Sequence, residues 1–385
     1  MDTTKFNETD NLLDDETLEG MIRFQRAKNL FLRDDSHDIE DAEIFYPSKM
    51  NEILDTSTNQ VKLASSQDNI DLTSNSPNNL SRGKEITPFI VANTIEVPLH
   101  HLKQDCIIPV FSKDNEKTIA HQEFIESVLT AISKVFPHHS ISTPEIRVSH
   151  QIKGRTPDAI HLNAKDLLDH QKTIYYERMA FVINIPSIVD SINGNELTLS
   201  VGGVRSYNLE NLYNKKTLEK FKFFIGFQNK VCLNMCINTD GFKEDLRVSS
   251  ASELQHKVIE VMQNYNAELH LMEMKEFTQD YLSEHQFAQL IGKSRLYQHL
   301  PKSEKQKIPM LNFNDSHINT MAKDYYEDKN FCRLDDGRIN LWDVYNLFTQ
   351  ANKSSYIDTF LDRNLNAFEF SKGIQKTLSG NFGYH

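Results

Sequence analysis

Residues 179–237 read MAFVINIPSIVDSINGNELTLSVGGVRSYNLENLYNKKTLEKFKFFIGFQNKVCLNMCI, and this stretch decides the fold. Phe181, Ile183 and Ile185 alternate with Val182 and Asn184 up to Pro186, which is expected to stop the run. Asn193-Gly194 then supplies the positive φ that a two-residue hairpin turn needs. The chain returns as ELTLSVGGV, with Leu197, Leu199 and Val201 on one face and Glu196, Thr198 and Ser200 on the other. That is the period-two pattern of a half-buried strand. After a polar helical insert, FKFFIGFQ and VCLNMCI follow as further strands parted at Asn229-Lys230, and Asp240-Gly241 closes an antiparallel meander.

Downstream the period changes from two to 3.6. Ser250 and Glu253 have capping-box spacing ahead of one long helix carrying Leu254, Val258, Val261, Met262, Tyr265, Leu269 and Met272. Ser283 with Gln286 starts another helix, through Tyr297. Asp315 to Tyr326, Asn340 to Thr349 and a last pair joined around Asn364 complete a helical end. Upstream, ITPFIVANTIEVPL and CIIPVF read as strands bent by Pro88, Pro98 and Pro109. A helix from about His121 to Phe136 buries Phe124, Ile125, Val128, Leu129, Ile132 and Phe136, and PEIRVSH adds a short strand. Strands followed by helices, without βαβ alternation, give an α+β fold with a mainly antiparallel central sheet.

The expected organisation is a disordered acidic tail over residues 1–85 and an α+β body over 86–385, sheet-rich to 241 and helical from 242. The tail carries most of the charge: residues 1–80 hold 7 basic and 17 acidic residues, against a net of −12 for all 385. Asp55 to Arg82 has no aromatic residue, too little apolar surface to offset the entropy of ordering. Within the tail, DETLEGMIRFQRAKNLFLR has the pattern of a short helix whose Leu18, Met21, Ile22 and Phe31 suit docking to a partner or to the body. Cys106, Cys232, Cys236 and Cys332 are too few and scattered for a disulfide framework. No apolar run approaches the roughly 20 residues of a membrane span, so a cytoplasmic protein without membrane insertion is expected.

Several strings imitate catalytic motifs. Gly292-Lys293-Ser294 lacks the earlier glycine of a phosphate-binding loop and sits in a helical pattern. LDDGRINLWD would place Cys332 and Leu334 where a calcium loop needs hard oxygen ligands, so it reads as a turn capped by Asp336. Cys232 and Cys236 on one strand face would lie roughly 13 Å apart, too far to share a zinc ion. His100-His101 and His138-His139 read as solvated pairs. No metal site, cofactor or catalytic motif follows from spacing.

The clusters that stand out are basic. RVSHQIKGR concentrates Arg147, His150, Lys153 and Arg155 around a polar turn at Gly154. Residues 203–230 hold Arg205, Lys215, Lys216, Lys220, Lys222 and Lys230 against Glu210 and Glu219. Tyr175, Tyr207 and Tyr213 are interleaved, and Arg178 lies nearby. Phosphate neutralisation combined with base stacking is the chemistry of a sequence-tolerant single-strand groove. The residues assigned to it are Arg147, His150, Lys153, Arg155, Arg178, Arg205, Tyr207, Lys215 and Lys216. A solvated helix face with a polar turn accounts for the same runs. An enzymatic site, if present, is expected where Arg147, His150, Arg178, Glu177 and Arg205 could converge.

From about Ile86 to Leu378 the chain resembles a domain-of-unknown-function family of bacterial plasmids, phages and conjugative elements. The resemblance rests on TPFIVANTIEV, IIPVFSKDNEKTIAHQEFIE, IRVSHQIKGR, YYERMAFVINIPSI, GGVRSYNLENLY, FKFFIGFQNKVCLNMCINTDGF and INLWDVYNLFTQANKSSYIDTFLDR. NKVCLNMCI and LWDVYNLFT are also similar to a wider phage/plasmid-like family with an RVVCxNxL strand and a WxLYN helix, Asn229-Lys230 standing in place of the first motif's arginine. The resemblance implies a mobile-element accessory protein and transfers no catalytic residue. Two partners are then expected: single-stranded DNA or RNA bound by the basic residues, or a host-defence or replication protein bound by the acidic tail. Trp342, Leu341, Tyr345 and Phe348 read as core.

Overall fold

The computed structural model describes residues 87–109, 118–207, 218–306 and 308–380. The acidic tail, with the helix and linker expected in it, and the insert with Tyr213, Lys215 and Lys216 lie outside the described residues. The centre is a seven-stranded antiparallel sheet in the order β1-β2-β5-β6-β7-β8, with β9 also on β7. These strands are β1 (Ile95–Glu96), β2 (Glu145–Val148), β5 (Arg178–Ile192), β6 (Asn195–Ser206), β7 (Glu219–Asn229), β8 (Met235–Cys236) and β9 (Phe242–Val248). Between β2 and β5 the chain forms a separate two-stranded ribbon, β3 (Gln151–Arg155) with β4 (Lys172–Tyr176).

The hairpin of β5 and β6 turns at Asn193 (φ 49°) and Gly194 (φ 77°), the two positive φ values of a type I′ turn. Pro186 does not end β5. The register shifts between Ile185 and Val189, and this irregularity absorbs the missing N–H while pairing resumes to Ile192. Nor is β6 half-buried: apart from Glu196, every residue of it is buried, because helices cover both faces of the sheet. Gly203 allows one of these to approach closely, since a Cβ there would lie 2.4 Å from the Phe124 ring. The run VCLNMCI pairs only at Met235–Cys236, after a turn in which Leu233 has φ 58°. β9, unread in the sequence because Lys243, Glu244 and Asp245 mask its alternation, takes the remaining edge of β7.

One face of the sheet packs on α2 (His121–Val135) and α3 (Ala251–Asn264). Phe124 of α2 meets Phe181 and Phe221 at 5.1 and 4.8 Å between ring centroids. The helix expected to run on to Met272 is two helices. It breaks at Tyr265, and Asn266 caps α4 (Ala267–Glu276) by accepting from Leu269 N–H, which leaves Met272 exposed and buries His270 and Met274 instead. Ahead of α2, Pro98 opens a short helix, α1 (Leu99–Gln104), between the two stretches expected as bent strands; the first carries the strand Ile95–Glu96, and Cys106–Pro109 of the second forms no strand.

Beyond α4, β10 (Tyr281–Leu282) leads into α5 (Glu284–Tyr297), where Ser283 and Gln286 exchange both capping bonds. Next come α6 (Lys302–Lys305), α7 (Asp315–Glu327) and β11 (Ile339–Asn340), then α8 (Leu341–Asn352), which holds Trp342, Tyr345 and Phe348 fully buried. Arg338 N–H donates to Asp336 in the turn before it, at Gly337 (φ 82°). The other sheet face is covered by α9 (Ile357–Leu378), whose Phe360 and Leu361 pack with Val182, Val204 and Phe224. This last helix is continuous: Asn364 sits inside it, donating to Phe360 O.

Candidate nucleic-acid interface

The ribbon sorts the first basic cluster. Gly154, expected in a polar turn, lies within β3 opposite Thr173. Directly opposed residues of an antiparallel pair share a face, so Gln151, Lys153, Arg155, Lys172, Ile174 and Tyr176 form one side. That side runs from the buried Tyr176 at the foot to exposed Lys153, Arg155 and Lys172 further out. Arg155 and Lys172 face each other across the strands, an unfavourable juxtaposition of like charges unless an anion bridges it. Arg155 Nη1 donates to the carbonyls of Ile160 and Leu162 in the tip loop, while Lys172 meets the fully exposed Asp169 at 2.9 Å. Among the described residues no carboxylate pairs with Lys153 or Arg155. His150 is exposed at the bend into β3, and its ring makes no hydrogen bond among the described residues.

Of the other predicted residues, Lys215 and Lys216 lie outside the described ones, and Arg147, Arg178, Arg205 and Tyr207 make contacts within the fold. Arg147 binds Thr94 and lies 3.7 Å from Glu96. Arg178 donates to Asp358 of α9 at 2.6 Å. Arg205, 1% exposed, pairs with Glu219 and lies between the rings of Tyr207 and Phe221, 4.7 and 4.4 Å from their centroids. Tyr207 is buried, its hydroxyl accepting from His121 N–H and its ring 4.1 Å from that imidazole. Arg205 opposes Met179 in the sheet whereas Arg178 is its sequence neighbour, so the two arginines leave by opposite faces. Arg147, opposite Ala180, shares the Arg178 face, so Arg205 does not converge with these two arginines, and Glu177 contributes its backbone carbonyl to Tyr207 N–H. Lys222 and Lys230 pair with Asp362 and Glu196.

Two features were missed. Lys172 completes the cationic face but stands 17 residues beyond Arg155, a proximity that only strand pairing creates. At the foot of the ribbon, His101 bonds Asp105 through Nδ1 at 2.7 Å and the Tyr176 hydroxyl through Nε2 at 3.0 Å. The i,i+4 spacing of His101 and Asp105 is visible in sequence, but the tyrosine is 75 positions away. The same end of the sheet buries His121 as a neutral ring, pushed down to about 3 by burial and the Arg205 charge. Cys232 and Cys236 carry thiols pushed up to about 11 and 12 by burial, which leaves them poor nucleophiles and ligands. Gly292-Lys293-Ser294 lies inside α5.

The chain belongs to the family described as "Domain of unknown function, B. Theta Gene description (DUF3871)", whose model matches residues 73–385. No curated protein and no solved structure matches it.

Proposed function

We propose that this DUF3871 member is a mobile-element accessory protein of the cytoplasm that binds single-stranded nucleic acid through phosphates, with little sequence preference. The observation that carries the reading is the ribbon face: Lys153, Arg155 and Lys172 side by side and exposed, with Arg155 and Lys172 directly opposed. Phosphate oxygens would supply the counter-charge that Lys153 and Arg155 lack among the described residues and would compete with Asp169 for Lys172, and three cations along two strands match the spacing of a backbone more readily than a single anion. The resemblance of its sequence motifs to those of plasmid and phage proteins supports the mobile-element context, and four free cysteines suit a reducing compartment.

Fluorescence anisotropy with a labelled mixed-sequence single strand at low salt tests the reading. Binding should weaken steeply with salt and vary little with sequence; absence of binding to single-stranded DNA and RNA at low salt would end it. A second reading is favoured by the ribbon tip, where Ile160 and Leu168 are 60% and 59% exposed beside Asp158, Asp166 and Asp169. Exposed aliphatics ringed by carboxylates suit a protein partner with an apolar, basic socket. Ile160→Ser with Leu168→Ser should then abolish capture of that partner while leaving strand binding unchanged.

A further inference from the structure

The foot of the ribbon holds a bonded chain that phosphate binding does not use. The Asp105 carboxylate meets His101 Nδ1, and His101 Nε2 meets the Tyr176 hydroxyl. With the proton on Nδ1 held by Asp105, Nε2 is left to accept the phenol proton. A carboxylate that orients an imidazole, which in turn takes a proton from a hydroxyl, is how a weak oxygen nucleophile is activated.

The fold places this chain beside the cations. Tyr176 ends β4 on the ribbon face that carries Lys153, Arg155 and Lys172, and Lys153 stands opposite Ile174, two positions from it. That separation is roughly 7 Å along the strand, about one nucleotide step from the tyrosine. The segment after α1 is held against β4 by Ile107 N–H donating to Ile174 O. The Tyr176 ring is buried, whereas the side chains of His101 and Asp105 are 23% and 57% exposed, so the bonded chain opens towards solvent on the imidazole side. Burial, followed by the nearby Cys106 and Asp105, raises the phenol pKa. It therefore stays protonated at rest and needs a base when it reacts. The neighbouring Cys106 thiol, pushed up to about 11 by burial and Asp105, is a poor competitor.

We propose that Tyr176 is a covalent nucleophile towards phosphodiesters, with His101 as its base and Asp105 as the group that orients the imidazole. The proposal rests on the reading of the ribbon as a phosphate-binding face. In the step, Tyr176 Oη attacks phosphorus and forms a tyrosyl phosphodiester while the bond from phosphorus to the leaving oxygen breaks. The proton passes from Oη to His101 Nε2 and on to that leaving oxygen. Nothing is oxidised or reduced, and no further reactant is consumed.

The test uses the p-nitrophenyl ester of thymidine 5′-phosphate, a phosphodiester that needs no recognised sequence. The full chain should release close to one equivalent of p-nitrophenol in a burst, and peptide mass spectrometry should find thymidine phosphate on Tyr176. Tyr176→Phe should abolish both with its urea midpoint kept, and His101→Gln should slow the burst by about 100-fold or more. Release no greater than that of Tyr176→Phe, or an adduct on another residue, overturns the proposal. Anisotropy on the same proteins separates the two readings. Strand binding without a burst removes the nucleophile alone, and a burst without strand binding removes the ribbon reading alone.

Discussion

Two sets of cations, close together in sequence, are used in opposite ways. On the large sheet Arg178, Arg205 and Lys222 meet Asp358, Glu219 and Asp362. On the ribbon Lys153 and Arg155 are exposed, without a carboxylate partner among the described residues. Depth makes the difference. A cation withdrawn from water requires a counter-charge, whereas one at an open edge is satisfied by solvent or by a ligand anion. The positive run over residues 203–230 therefore says little about surface potential, because part of it is neutralised by α9, with Asp362 lying 140 positions beyond Lys222.

Acid should break the interior set first. His121, His270 and His317 are buried as neutral rings, pushed down to about 3, 3 and 4 by burial and then by Arg205, Lys372 and Arg363 respectively. Because each folded pKa lies below the ordinary value of 6.5, the stability they confer is present above that pH and is lost as pH falls towards 4. With three extra protons bound by the unfolded chain, the unfolding free energy should drop by about 4 kcal/mol per pH unit near pH 5. Urea melts between pH 7 and 5 check this, and a slope below that of one proton contradicts the neutral interior.

The next largest effect contrasts the two sets directly. Arg205→Ala leaves Glu219 without its buried partner and should cost about 3–5 kcal/mol. Lys153→Ala should stay within about 0.5 kcal/mol of the parent. Equal losses in chemical denaturation would erase the distinction between structural and available charge. The smallest effect in energy is the most specific: replacing Lys153, Arg155 and Lys172 with alanine should lower the slope of log affinity against log salt by about 2 for a single strand. An unchanged slope would assign the phosphates to other residues.

The large sheet could be read from sequence because its strands announce themselves by composition and by Asn193-Gly194, whose backbone adopts the turn those residues favour. The helical end was readable for the same local reason, as the reciprocal bonds of Ser283 and Gln286 illustrate. Elsewhere local signals misled. Asn364 looks like a helix break, yet its amide finds Phe360 O within the helix and the residue is buried. The ribbon was hidden because β3 and β4 are short and half-exposed, without the alternation that burial of one face imposes. The candidate site inherits that blindness. Lys153, Arg155 and His150 are neighbours in sequence and could be found, but Lys172, His101 and Tyr176 join them only through pairing and packing over long separations.

Photocrosslinking tests the central claim, that the ribbon is the nucleic-acid interface, most directly. A single strand carrying 4-thiouridine would be bound at low salt and irradiated, and the attached peptides would be identified by mass spectrometry. Crosslinks should concentrate in Gln151–Arg155 and Lys172–Tyr176 and disappear when Lys153, Arg155 and Lys172 are replaced by alanine. Crosslinks that lie elsewhere and survive that triple replacement would contradict the account.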